Sequence, residues 1–312
     1  MQRRNPMAYL KNFTTFNKFG LGTNKVGGHN LFDNLADEDG IALVKAALDS
    51  GVTLLDTAFA YGFGRSEELI GQVIKDYDRS QLIIATKAAH DPAQNYAFNN
   101  SPEFLQASVD SALQRLDVDY IDIFYIHFPD ASTDKRLAVQ ALQEMKAAGK
   151  IRAIGLSNFN LDQIKEANQD GYVDIVEDAY SLVDRTAEQT TWAYLQEHDI
   201  EFVPYYPLAS GLLTGKYTKT QTFTSDDWQS RNPNFQGERY QAILAGVDIL
   251  AEIGQAYNAS PSQVALAWYL KNPNIAALIP GARIAAQLHD NLKALDVALS
   301  DEDYQKIDAA FK

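Results

Sequence analysis

LLDTAFAYG (residues 54–62), LIIATKA (82–88) and YIDIFYIHFPD (120–130) decide how this chain is read. Each is a short apolar run of strand type bounded by polar residues. Asp56 and Tyr61 lie at the end of the first, Lys87 at the end of the second and His127 at the end of the third. If the runs are neighbouring parallel strands, their C-terminal ends bring a carboxylate, a phenol, an ammonium and an imidazole to one small pocket.

Further runs recur at a spacing of about 30 residues, which is the period of a strand-helix unit. They predict strands near 18–23, 51–56, 82–87, 120–127, 151–156, 173–178, 201–206 and 276–280. The stretches between them are amphipathic. Segment 101–116 opens with Ser101-Pro102, a cap followed by proline in the first turn, and places Leu105, Val109, Ala112 and Leu116 on one face. Ser260-Pro261-Ser262-Gln263 reads as a capping box opening another helix. Strands alternating with helices predict an α/β fold, and eight such units fit a (β/α)8 TIM barrel better than an open sheet. The expectation is one domain over residues 1–312, with its site at the C-terminal ends of the strands.

Composition narrows the classes. The chain has 312 residues, a formal net charge of −14 and no cysteine. That charge argues against nucleic acid and anionic membrane as partners, while leaving room for an anionic small ligand at a local cation or helix N-terminus. The lack of cysteine excludes disulfides, thiolate catalysis and cysteine-ligated metal. No apolar run approaches the roughly 20 residues of a membrane-spanning helix. MQRRNPMAYLKNF has positive charge with no apolar core behind it, so a cytoplasmic protein is expected. Oligomeric state is not written in the sequence. Two segments depart from the regular period. Residues 209–238 are long, polar and aromatic, the pattern of a lid or clasp, and the tail from Ser300 reads as one more capped helix.

The polar quartet suits one kind of chemistry. A phenol near pKa 10 donates poorly at neutral pH unless its anion is stabilised. An ammonium about 4 Å away supplies roughly 4 kcal/mol, which predicts that Lys87 brings Tyr61 towards working pH. Asp56 keeps Lys87 charged, and His127 aligns a substrate oxygen. The arrangement suits protonation of a carbonyl oxygen as hydride reaches its carbon. Taken singly, each of these residues is more often structural than catalytic, and it is their common position at strand ends that raises the reading. A Schiff-base lysine would need to be neutral, and Asp56 argues against it. His29, His90, His127, His198 and His289 show no paired-ligand spacing, so no metal site is expected. Gly62-Phe63-Gly64 begins like a dinucleotide fingerprint, but Glu67 stands where its third glycine belongs. Better candidates for a cofactor are GLSNF (155–159), YYPLASGLLTGKY (205–217) and IPGARIAAQLHDN (279–291), the last a strand, a glycine turn and a helix N-terminus.

The chain resembles the aldo-keto reductases over nearly its whole length, from GLGTNKVGGHN to LSDEDYQKID. The motifs that carry the resemblance are LLDTAFAYGFGRSEELIG, IATKA, DIFYIHFPD, GLSNF, YPLASGLLTGKY, and IPGAR followed by Gln287 and Asn291. GTN, VGGHNL and IHFPD agree with the bacterial branch associated with inositol catabolism. The resemblance implies a barrel that binds NADPH across its mouth, NADH being less favoured, and reduces small aldehydes or ketones. It makes Tyr61 the general acid, with Lys87 and Asp56 in support and His127 orienting the carbonyl. Thr23 and Asn24 fall among the implied cofactor residues. Ser157 and Asn158 match the pair that holds the nicotinamide carboxamide, and Tyr205 the residue stacked on that ring. Residues 207–216, with Pro207, Leu208, Ser210, Gly211 and Lys216, match the pyrophosphate clasp. Gly281, Arg283, Gln287 and Asn291 match the adenosine end. A non-catalytic, nucleotide-binding regulatory subunit on the same barrel is the alternative.

Several positions depart from the family. In VDIVEDAYSLVDR, Glu177 stands where glutamine is usual, and Ser181 where asparagine is common. Phe128 replaces a frequent tryptophan, Tyr206 a common serine, and Gln287 occupies the region of a second arginine. Loops 88–100 and 209–238 are expected to set specificity, with Tyr96, Phe98, Trp228 and Phe235 as pocket walls.

Overall fold

The computed structural model describes residues 9–13 and 16–312. Among the described residues nine strands occur in chain order: β1 (Gly20–Gly22), β2 (Leu54–Asp56), β3 (Ile83–Ala88), β4 (His90–Asp91), β5 (Ala97–Phe98), β6 (Ile121–Ile126), β7 (Ile151–Ser157), β8 (Ile175–Ala179) and β9 (Glu201–Tyr205). Seven of them form one sheet in the order β1-β2-β3-β6-β7-β8-β9, every adjacent pair parallel. β4 and β5 make a small antiparallel ribbon beside the end of β3. Every residue of β3 and of β6 is buried, as the continuous apolar runs require of strands covered on both faces.

The helices between strands form where the pattern places them. Ser101 Oγ caps the helix Pro102–Leu116, whose buried residues are Leu105, Val109, Ala112 and Leu116. The capping box at Ser260 opens the helix Pro261–Lys271, and Ser300 caps Asp301–Ala310. Their apolar faces join the outward residues of the sheet in a large outer core. A smaller inner core collects the inward residues Leu54, Ile83, Ala85, Ile123, Tyr125, Ala153, Ile175 and Val203 with Ala276, Ala277 and Ile279.

The expected strand at 276–280 is not formed as a strand. The segment makes isolated parallel bridges, Phe19 with Leu278 and Gly22 with Gly281. It is bonded on both sides nonetheless: Gly20 N and Leu278 N donate to Leu278 O and Lys18 O at 2.8 Å, and Ala276 N donates to Phe202 O at 2.8 Å. Pro280 has no N–H to donate, so a regular ladder cannot run through it.

The opposite end of the sheet is closed by residues before β1. Leu10 enters the inner core, while Leu10 N and Lys11 N donate to Glu201 at 2.9 and 3.2 Å. The long stretch after β9 is built of three 3-10 segments, Ala209–Thr214, Trp228–Arg231 and Pro233–Phe235, before the helix Gly237–Tyr257. Phe235 does not wall a pocket. It is buried in the stretch's own aromatic cluster, edge-on to Tyr217, Phe223 and Trp228. Trp228, Tyr96 and Phe98 are exposed. Among the described residues no helix is long and apolar enough to cross a membrane.

Candidate active site

The quartet converges. Asp56 ends β2, Lys87 lies one residue from the end of β3, and His127 follows β6 directly. Lys87 Nζ donates to Asp56 Oδ1 at 2.5 Å and to Thr57 O at 3.0 Å. Its ammonium lies 5.7 Å from the Tyr61 ring centre, and the Tyr61 ring stands edge-on to His127 at 6.2 Å. Tyr61 sits in the turn between β2 and the helix Arg65–Ile74, and Gly62 makes that turn possible. Gly62 has φ 68°, and a Cβ there would lie 1.9 Å from Gly27 O. The Gly-Phe-Gly run thus holds the tyrosine. Glu67 is buried against Arg115 Nε at 2.6 Å and Thr86 Oγ1 at 2.6 Å.

Burial dominates the electrostatics. It pulls the Lys87 pKa down, but the facing carboxyls, Asp56 ahead of Glu177, more than offset it, so the ammonium persists. For Tyr61, burial raises the phenol pKa; Lys87 opposes this, and Asp56 and Glu177 add to it. Tyr61 is therefore held above its ordinary value: the expected lowering by Lys87 is present, and burial outweighs it. Burial sets the direction, and the Asp56 carboxylate offsets part of the ammonium's pull. His127 is held well below the usual imidazole range, by burial first and then by Lys87 and His90. It is neutral, and its Nδ1 is buried without a hydrogen-bond partner.

The residues expected at a cofactor fall into two groups. Ser157, Asn158 and Tyr205 form a hydrogen-bonded unit across the ends of β7 and β9. Asn158 Nδ2 donates to His127 O and Ser157 Oγ, each at 3.0 Å, and Tyr205 OH donates to Asn158 Oδ1 at 2.7 Å. Asn158 adopts a left-handed φ of 63° to do this. Glu177 pairs in register with Ser157, yet its carboxyl lies 3.4 Å from Lys87 Nζ, in the Lys87-Asp56 cluster.

The second group borders β1 and segment 276–281. Arg283 N donates to Gln287 Oε1 at 2.8 Å, and its guanidinium donates to Asn34 O at 2.7 Å. Asn291 is buried, while Gly281 packs beside Asn24. The Thr23 hydroxyl donates to Asp56 O at 2.8 Å and ties β1 to the strand that carries Asp56. In the clasp, Pro207 O accepts from Tyr269 OH at 2.7 Å. Tyr206, Ala209, Ser210 and Gly211 all have positive φ, from 48° to 89°. Left-handed conformations at the three non-glycine positions store backbone strain of the kind found at binding loops. Leu208 packs against the outer core, and Lys216 lies against Gly211.

Four residues carry more of the site than their sequence suggests. Lys25 is depressed by burial and by the charges of Arg283 and Lys216, so three cations share one neighbourhood. Its position beside Thr23 and Asn24 was the only available signal. Asn30 clamps the tyrosine turn, donating to Ala60 O at 3.1 Å and accepting from Gly62 N at 2.7 Å. Tyr125 lies under Lys87, its ring centre 5.5 Å from the ammonium, and only glycine at 155 leaves room for that ring. His90 meets His127 edge-on at 5.9 Å, and Phe128 stacks between His127 and Phe98 at 4.6 and 4.8 Å. Both histidines and both phenylalanines thus wall one side of the mouth. Nothing in the sequence period marks these as partners.

The model of the Aldo/keto reductase family matches residues 18–312. The chain is 36% identical over 293 residues to the aldo-keto reductase YhdN of Bacillus subtilis, spanning 93% of this chain and 88% of that protein. It is 33% identical to the NADH-specific methylglyoxal reductase of Escherichia coli, with 93% of each chain covered. Among solved structures, a glycerol dehydrogenase from Gluconobacter oxydans superposes with a TM-score of 0.84 at 30% identity, covering 94% of this chain and 90% of that one. Over nearly its full length, therefore, the chain belongs to the aldo/keto reductase family of oxidoreductases.

Proposed function

We propose that this protein is an NADPH-dependent reductase of small aldehydes or ketones, with Tyr61 as the proton donor. The observation that carries the reading is a buried ammonium, Lys87, held at 2.5 Å by Asp56 beneath the ring of a protonated tyrosine and beside a neutral histidine. Tyr61 gives its proton to the carbonyl oxygen as charge develops there, and Lys87 stabilises the phenolate left behind. Asp56 keeps Lys87 charged and oriented. His127 aligns the oxygen by a hydrogen bond, and the stacked Phe98 and Phe128 rings border one side of the mouth.

The residues present fit a dinucleotide phosphate. Lys25 feels the positive charges of Arg283 and Lys216 on a chain of net charge −14, an arrangement that an anion relieves. Ser157, Asn158 and Tyr205 would hold the nicotinamide end, and Arg283 with the helix Ala285–Leu292 the adenosine end. When bound, the cofactor supplies hydride to the carbonyl carbon. One relative is named NADH-specific, so preference in this chain rests on its own cations. The same reading takes segment 276–281 as the closing element of a (β/α)8 barrel, supported by its bonds to both Lys18 and Phe202. Placement in the branch associated with inositol catabolism rests on GTN, VGGHNL and IHFPD alone.

The test is turnover of 4-nitrobenzaldehyde with NADPH and with NADH, in wild type and in Tyr61→Phe. Reduction by wild type and its loss in the variant support the reading. Binding of cofactor with no turnover of any carbonyl would instead favour a regulatory, non-catalytic barrel.

A further inference from the structure

Lys87 Nζ is surrounded by three oxygens: Asp56 Oδ1 at 2.5 Å, Thr57 O at 3.0 Å and Glu177 Oε2 at 3.4 Å. Asp56, Lys87 and Glu177 are all at most 3% exposed. Two carboxyls therefore face one ammonium, and among the described residues neither is paired with any other cation. Ionising both would leave an uncompensated negative charge out of contact with water, which proteins avoid by keeping one group neutral. Asp56 has the short contact with the ammonium. Glu177 Oε2 has no hydrogen-bond donor. The charge belongs on Asp56 and the proton on Glu177.

We propose that Glu177 is a positioning residue of this site, a neutral carboxylic acid that completes the Lys87-Asp56 cluster and thereby sets the acid strength of Tyr61. The proposal rests on the reading of Tyr61 as the proton donor. As a neutral acid, Glu177 has one O–H to donate and an oxygen to accept; a glutamine likewise both donates and accepts, with two N–H donors in place of one O–H. The departure from the family's usual residue then leaves the shape of the site intact and adds a group that can ionise.

The groups that face Glu177 are Asp56 from β2, Tyr61 from the turn after it, Lys87 from β3, Tyr125 from β6 and Tyr205 from β9. Its register neighbours, Ser157 on β7 and Val203 on β9, do not titrate. Burial pushes Glu177 well above the usual carboxyl range; the Asp56 charge adds to this and Lys87 opposes it. When Glu177 loses its proton, a second negative charge competes for Lys87 and makes the Tyr61 phenolate harder to form. Reduction should therefore decline with rising pH as Glu177 ionises, before Tyr61 itself does.

Glu177→Gln removes the ionisation and keeps the hydrogen-bonding shape. The alkaline limb of kcat should move upward, so that about one unit above the wild-type midpoint the variant turns over roughly tenfold faster than wild type. KM for NADPH should keep its wild-type pH profile. Two further readouts do not depend on turnover. The infrared spectrum of the wild type at neutral pH should contain the C=O stretch of a protonated carboxylic acid that Glu177→Gln lacks. The Tyr61 titration, read as the tyrosinate absorbance missing from Tyr61→Phe, should fall to lower pH in the Glu177→Gln background. An unchanged alkaline limb, or an altered KM for NADPH with the same kcat profile, overturns the proposal, as does the absence of the carboxylic acid band. If no carbonyl is reduced by either protein, the reductase reading fails. The infrared band and the tyrosine titration then still decide the role of Glu177.

Discussion

The two ends of the sheet bury carboxyl groups in opposite ways. At the N-terminal end, Asp122 accepts from Tyr9 OH at 2.8 Å, Arg79 Nη2 at 2.6 Å and Ile84 N at 2.9 Å. Glu201 accepts from two successive backbone amides, Leu10 N and Lys11 N. At the C-terminal end, Glu177 Oε2, His127 Nδ1 and His90 Nδ1 are buried with no hydrogen-bond partner. Native proteins rarely leave such atoms unmatched, because each costs about 1–3 kcal/mol. The floor therefore spends its polar groups on closure. The mouth leaves the two histidine nitrogens without a partner inside the protein. Arg79 Nε is also unmatched, but its guanidinium is otherwise engaged with Asp122 and two backbone carbonyls.

The comparison is sharpest if the two ends fail differently. Tyr61→Phe should lower kcat for carbonyl reduction by about a hundredfold or more, the range of a lost general acid, with NADPH affinity and melting temperature nearly unchanged. Lys87→Met should lower kcat likewise. Steady-state kinetics and cofactor titration check both, and a Tyr61→Phe enzyme retaining a tenth of the wild-type rate breaks the assignment.

At the floor, Asp122→Ala strands the Arg79 guanidinium, the Ile84 amide and the Tyr9 hydroxyl. Breaking a buried pair in this way costs about 3–5 kcal/mol. Urea unfolding should register that loss, while kcat per folded molecule is retained. A fall in kcat without a fall in stability would erase the distinction between the two ends.

Arg283→Ala should weaken NADPH about ten- to a hundredfold, as expected for loss of a charge-assisted contact worth roughly 1.5–3 kcal/mol, and leave NADH almost unchanged. Calorimetric titration with both cofactors is decisive. Equal weakening of both would mean that Arg283 serves mainly to hold the loop at Asn34, to whose carbonyl it donates.

The smallest effect is on stability. Glu177 has a raised pKa in the folded state, so folding binds its proton more tightly than the unfolded chain does. Its contribution is fully present below the unfolded value of about 4.3 and is lost as pH rises through the folded one. Within that window stability falls by up to about 1.4 kcal/mol per pH unit, and a glutamine carries no such penalty. Thermal melts should show Glu177→Gln gaining on wild type as the buffer is made more alkaline. A constant difference across pH would place the proton elsewhere.

Much of the site was legible because the parallel strands end in polar residues that the hydrophobic runs themselves mark. Asp56, Lys87 and His127 are found at the ends of such runs, and the parallel order of β2, β3 and β6 does the rest. The eighth run was legible as apolar but not as irregular, since Pro280 interrupts hydrogen bonding without altering hydropathy. Phe235 was misplaced because an aromatic residue in a polar loop looks the same whether it faces a ligand or its own cluster. Lys25 and Asn30 escaped notice because their partners lie far along the chain or in another turn.

The sequence by itself determined the alternation of strands and helices, the caps at Ser101, Ser260 and Ser300, and the identity of the groups at the strand ends. These depend on local propensity and on periodicity, which are properties of neighbouring residues. Only the tertiary structure decided where Glu177 points. The sequence places it with the cofactor residues, yet the inward turn of β8 brings its carboxyl to Lys87. Which charges share a buried space depends on strands that are distant in sequence, and burial then decides which of them keeps its proton.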